Sequence, residues 1–146
     1  MAEQDPIDLA ARALRHRDRS RAQVAERLAR AGVDDAKADD ALETLERVGY
    51  VDDGRFAANR AAALAARGMG DAAIRHDLEA AGVPGEVLEE ALGALAPEPE
   101  RALAAAARAG RTAKTAAQLA RRGFSEESIE AAVGLDVADG EAGEVE

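Results

Sequence analysis

Apolar residues recur along this chain at helical spacing, and glycine interrupts them at corresponding points. Val24 with Leu28, Ala38 with Ala41, Leu42, Leu45 and Val48, Ile74 with Leu78, and Leu88 with Ala91, Leu92 and Leu95 each trace one helix face. Charged residues fill the positions between them. Three segments superimpose without gaps: LARAGVDDAKADDAL from Leu28, LEAAGVPGEVLEEAL from Leu78 and LARRGFSEESIEAAV from Leu119. In each, a leucine is followed four positions later by glycine (Gly32, Gly82, Gly123) and then by an apolar residue (Val33, Val83, Phe124). Ala38, Leu88 and Ile129 come next at one shared offset, and Leu42, Leu92 and Val133 at another. Such self-similarity marks a tandem helical repeat.

The glycines sit where a helix would close in the left-handed conformation, with the next apolar residue folding back onto it. Asp34, Pro84 and Ser125 then suit the start of the following helix. Ser20 with Gln23 reads as a capping box, and Thr112 as an N-cap after Gly110. These signals predict helices over 6–18, 21–31 and 35–48, then 53–67, 71–81 and 85–95, then 98–109, 113–122 and 126–134. The predicted fold is therefore all-α, with three tandem three-helix, helix-turn-helix-like repeats in an elongated, curved array. The first repeat is placed at 1–51, the second at 52–96 and the third at 97–135. Residues 136–146, acidic and aperiodic, are expected to form a disordered tail. A repeat of about 40 residues buries too little to be robust alone, so neighbours are expected to support one another.

Composition reinforces the helical reading: alanine dominates the hydrophobic 47%, and aromatics are only 2%. With no cysteine, disulfides, thiolate metal sites and cysteine nucleophiles are excluded. His16 and His76 have no partner at metal-ligand spacing, and a solvated or core-edge place suits both better. The glycines punctuate helices instead of forming a phosphate loop, and no Ser/His/Asp spacing suggests a triad. No enzyme activity, metal or cofactor is expected. The chain lacks a run of about 20 apolar residues, and its acidic first residues do not suit a signal peptide, so a soluble cytoplasmic protein is expected.

Net charge is −10, but it is distributed in blocks. Residues 12–30 carry seven arginines against Asp18 and Glu26, and residues 101–124 carry six cations and no acid. Residues 31–53 and 71–100 each hold eight acids against two cations and one, respectively. Screening confines each block to roughly 8–10 Å, so the local sign matters more than the total.

Three segments resemble the RecX family of RecA regulators. The first is Leu14 to Gly32, LRHRDRSRAQVAERLARAG. The second is the block Gly49-Tyr50-Val51-Asp52-Asp53-Gly54-Arg55-Phe56-Ala57, similar to the family's pattern of glycine, tyrosine, an aliphatic residue, Asp or Asn, then Asp, leading to an aromatic residue and alanine. The third is Arg67-Gly68-Met69-Gly70 with Ile74 and Leu78, similar to its arginine-glycine-x-glycine turn. The resemblance spans residues 9–134 and implies tandem three-helix repeats without catalysis. It also implies binding to RecA-type recombinase filaments, with restraint of ATP hydrolysis and strand exchange.

Candidate contact residues follow from the charge blocks. Arg15, Arg17, Arg19 and Arg21 alternate along the chain, and Arg27 and Arg30 lie off the Val24/Leu28 stripe on one exposed side. Lys114, Arg121 and Arg122 form a second basic face in the third repeat. These could meet an acidic partner or phosphates, or they could be a solvated surface whose stems cover apolar neighbours. In the block, Tyr50, Asp52, Asp53, Arg55 and Phe56 could form a partner loop. The architectural alternative has Gly49 closing one helix, Asp52 or Asp53 capping the next, and Tyr50 and Phe56 plugging the joint.

The leading expectation is a monomeric recombinase regulator, with a weak contact to single-stranded DNA as a further one. A helix-turn-helix DNA-binding regulator is the rival, although the third helix of each repeat is net acidic. A helical-repeat adaptor for another protein is the third reading.

Overall fold

The computed structural model describes residues 5–134; the acidic segment 136–146 lies outside them. Among the described residues there are nine helices and no strand. They are α1 (Pro6–His16), α2 (Arg21–Arg30), α3 (Asp35–Arg47), α4 (Asp53–Ala66), α5 (Asp71–Ala80), α6 (Gly85–Gly93), α7 (Glu98–Ala109), α8 (Ala113–Arg121) and α9 (Glu126–Val133). The predicted bounds hold to within two residues at each end.

Each helix packs on the other two of its own trio, and the buried residues fall into three separate clusters. Ala10, Val24, Leu28, Leu42, Leu45 and Val51 lie in the first core. Phe56, Leu64, Ile74, Leu78, Leu88 and Leu92 lie in the second. The third, with Ala102, Ala106, Leu119, Phe124, Ile129 and Val133, draws only alanine from its first helix. Fully burying a leucine contributes about 1.5–3 kcal/mol, so this alanine-built face stabilises its repeat less.

The middle helices close alike. At Gly32, Gly82 and Gly123, φ is +83°, +77° and +93°. The glycine N–H donates to the carbonyl three residues back (Ala29, Glu79, Ala120), and the next N–H donates to Leu28, Leu78 and Leu119. This pair of hydrogen bonds satisfies two orphan carbonyls per helix end. Helix starts are less uniform. Ser20 and Gln23 form the reciprocal capping box, and Thr112 and Ser125 accept from the N–H three residues on. Asp34 and Pro84 occupy the N-cap position but make no side-chain bond there. Asp34 therefore does not supply the expected side-chain cap.

Neighbouring repeats meet through their middle helices, placed head to tail. At the first joint Ser20 Oγ donates to the carbonyl of Ala81 at the end of α5, over 2.5 Å. At the second, Gly70 N donates to the carbonyl of Arg122 at the end of α8, over 2.8 Å, and Ala72 N donates to Gly123. Each time the negative end of one helix dipole faces the positive end of another. An acid from the next repeat seals the contact: Asp53 accepts from Arg21 N, and Glu98 accepts from Asp71 N.

Candidate partner-binding surface

The link from α1 to α2 is extended at Arg17, which splays three arginines and Asp18 around the start of α2. Arg19 folds back, its Nε donating to the Ala13 carbonyl over 3.0 Å. Burial first, then the like charges of Arg17 and Arg27, lower its pKa from the ordinary value. Arg21 is held by Glu46 at 2.7 Å, and Arg30 pairs with Glu26 one turn earlier. Arg15, Arg17 and Arg27 are exposed, and among the described residues none of their side chains has an ion pair or hydrogen bond. The alternating row read from the sequence thus divides: Arg19 and Arg21 are tied to the fold, while Arg15 and Arg17 are available.

Arg17, Arg19, Arg27 and Arg30, with Gln23 and Glu26, line a groove of about 240 Å³. Four guanidiniums against one carboxylate crowd like charge, a field an incoming anion relieves. From Arg17 and Gln23 a second groove of about 430 Å³ crosses the first joint, past Phe56 and Asn59 to Arg60 and Asp77. Arg60 binds Asp77 through two parallel bonds of 2.8 and 2.9 Å, and these bonds hold the Asp77 carboxyl below its usual range.

Lys114, Arg121 and Arg122 are exposed on α8 and its end, without ion pairs among the described residues. Lys114 and Arg121 are opposite the buried Leu119, as the spacing predicts, with Arg122 alongside. Arg122 has a second place: its guanidinium lies over Gly68, where an added Cβ would come within 2.7 Å of Nη1. It crosses the second joint and belongs partly to the architecture.

In the block after α3, Asp52 caps α4 by accepting from Arg55 N at 3.0 Å. Asp53 reaches instead to Arg21 N at 2.8 Å. Arg55 donates to the carbonyls of Gly49 and Tyr50 and pairs with Asp18 across the joint. The Asp18 hydrogen bond raises its pKa. Phe56 is buried in the second core. Tyr50 corrects the architectural expectation: it is 61% exposed and plugs nothing. The tight turn explains this, because the N–H groups of Tyr50 and Val51 both bond the Leu45 carbonyl, and Val51 takes the inward place in the first core.

The second joint holds residues that sequence reading did not single out. Glu98 accepts from Asp71 N, Ser125 N and Ser128 Oγ at 2.7, 3.0 and 2.8 Å. Burial pushes its pKa up, but the bonds from Ser125, Asp71 and Ser128 outweigh this and set it below the ordinary value. Arg101 donates to the carbonyls of Met69 and Ala96, pairs with Asp71 and lies over the Phe124 ring at 5.9 Å. The available signal was an acid opening the first helix of a repeat with arginine two or three residues on: Asp53 with Arg55, Glu98 with Arg101.

Among the described residues no cluster of His, Asp or Glu could hold a metal ion, and no helix is long and apolar enough to cross a membrane. The outer helices α3, α6 and α9 each carry three more acids than cations, which repels a phosphate backbone.

Comparison with known proteins agrees with this layout. A family model described as RecX, first three-helix domain, matches residues 7–45, and one described as RecX, second three-helix domain, matches 52–92. A protein named Regulatory protein RecX from Halorhodospira halophila is 35% identical, over 93% of this chain and 91% of its own length. Its namesake from Chromohalobacter salexigens is 37% identical, over 87% of this chain and 90% of its own. The crystal structure of RecX from Lactobacillus salivarius superimposes with a TM-score of 0.77 at 18% identity, covering 88% of this chain and 92% of that one, a likeness of fold.

Proposed function

This chain belongs to the RecX family, and from that premise we propose that it binds a RecA-type recombinase, or its filament on DNA. There it lowers ATP hydrolysis and strand exchange, and so tunes DNA repair and the SOS response. The observation carrying this reading is the near full-length likeness to proteins named as regulators. A regulator acts by binding, and the residues available for binding include the unpaired cations Arg15, Arg17 and Arg27 at one end and Lys114 and Arg121 at the other. Two basic faces separated by acidic helices fit a large partner with acidic patches better than a continuous DNA backbone. On this reading the protein is a cytoplasmic monomer without a cofactor or catalytic site, and any touch on single-stranded DNA is weak and local.

The test is DNA-dependent ATP hydrolysis by the cognate recombinase with folded protein added from sub-stoichiometric to equal ratios. Hydrolysis is expected to slow across that range. Unchanged hydrolysis, with helicity verified by circular dichroism, would refute the proposal.

A further inference from the structure

Three large hydrophobic residues stand exposed among the described ones, and two of them, Val48 at 57% and Tyr50 at 61%, are in the turn after α3. The rest of this turn has structural work: Val51 and Phe56 fill cores, Asp52 caps α4, and Asp53 and Arg55 brace the joint. The Tyr50 hydroxyl has no hydrogen-bond partner among the described residues. Its side chain borders an open pocket of about 510 Å³ with Ala11, Leu14, Arg15, Asp18 and Arg55. Asp18 and Arg55 neutralise each other there, while Arg15 is unpaired, so the pocket has aliphatic walls, one aromatic edge and one free cation. Concave sites with apolar walls and a few placed polar groups are the usual form of a recognition pocket.

We propose that the Tyr50 pocket anchors a protein segment, one that inserts an apolar side chain against Tyr50, Ala11 and Leu14 and sets a neighbouring carboxylate on Arg15. The segment belongs to the recombinase of the preceding section, and the inference rests on that reading. Charge complementarity selects an acidic, apolar stretch. A single-stranded nucleic acid is the less suitable occupant, because such strands are held by successive aromatic platforms along a basic track. Phe56 and Phe124 are buried, Tyr50 is the chain's one tyrosine and it has no tryptophan, so a second platform is missing. Tyrosine and arginine are also, with tryptophan, the residues enriched at the energetic centres of protein interfaces.

The single tyrosine makes the site directly observable. With 3-fluorotyrosine incorporated, the full chain gives one ring signal, which is followed on adding recombinase filament on an oligonucleotide, or the bare oligonucleotide. The signal is expected to shift or broaden with the filament and to stay unchanged with the bare strand. In co-sedimentation with the filament, Tyr50→Ala is expected to weaken binding by about thirtyfold, Arg15→Ala by about fivefold and Tyr50→Phe by less than about twofold. Filament binding by wild type that is indifferent to Tyr50→Ala and leaves the ring signal unmoved would overturn this inference and leave the regulator reading intact. A shift with the bare strand alone would overturn it in favour of nucleotide stacking. Wild type that does not co-sediment at all would remove the regulator reading, and this inference with it.

Discussion

At the first joint the contact between middle helices is made by a side chain, Ser20 Oγ on the Ala81 carbonyl, and the flanking arginine, Arg55, keeps 41% of its side-chain surface exposed. At the second the contact is backbone on backbone, Gly70 N on the Arg122 carbonyl, and the corresponding Arg101 is only 13% exposed. Both joints follow one plan, with a middle-helix end on a middle-helix start and an acid bridging from the next repeat. Both are close, since a Cβ on Gly82 would come within 2.5 Å of the Ala22 Cβ at the first joint; they differ in the residue at the start of the middle helix, Ser20 at one and Gly70 at the other. The first leaves grooves on either side of Arg17 and Asp18, including the Tyr50 pocket. At the second, a Cβ on Gly70 would lie 2.5 Å from the Gly123 carbonyl carbon and the Phe124 nitrogen. A shared plan can thus yield one joint locked for shape and another open for contact.

The largest effect should come from filling the locked joint. Gly70 has a φ of −84°, which any residue adopts, so alanine there meets steric collision alone. Gly70→Ala is expected to cost about 2–3 kcal/mol in urea denaturation. Gly93→Ala, in open space on α6, should be neutral or slightly stabilising. An equal effect of the two would deny that the second joint depends on the close approach at Gly70.

Next comes the acid that seals the second joint. Glu98→Gln keeps the shape but weakens a carboxylate accepting three hydrogen bonds, for an expected loss of about 1–2 kcal/mol at neutral pH. Because the folded-state pKa is depressed, this contribution is complete above the unfolded carboxylate's pKa and fades as pH falls through the folded value. Stability measured from pH 6 down to pH 3 should therefore decline less steeply in the variant. An unchanged acid slope would deny Glu98 its role.

Ser20→Ala removes both a helix cap and the bond across the first joint, for an expected loss of about 1–1.5 kcal/mol by the same denaturation. Arg55→Ala should cost least, under about 1 kcal/mol, since its pair with Asp18 is partly solvated and water can replace its bonds to the exposed Gly49 and Tyr50 carbonyls. A larger loss for Arg55 than for Ser20 would mean that ion pairs, and not the helix ends, carry this joint.

Local geometry was readable from the residues. The glycine closures at Gly32, Gly82 and Gly123 and the Ser20 capping box depend on neighbours within six positions, and they appear as the spacing predicted. What escaped depends on distant partners. Ser20 Oγ bonds a carbonyl 61 residues away, and Gly70 is needed for close approach and not for a turn. Among the arginines, periodicity gave the exposed side but could not tell Arg19 and Arg21, bound to Ala13 and Glu46, from the unpaired Arg15 and Arg17. The block left Tyr50 open between a partner loop and a plug at the joint, and turn geometry, which depends on the Leu45 carbonyl, gave the inward place to Val51.

The most direct test of the account compares the two basic ends in one assay of recombinase ATP hydrolysis. Replacing Arg15, Arg17 and Arg27 together by alanine is expected to raise the concentration needed for half-inhibition by about tenfold or more, and replacing Lys114 and Arg121 by less. Wild-type protein that leaves hydrolysis unchanged, or a triple variant that inhibits as wild type does, would contradict a regulator acting through the open first joint.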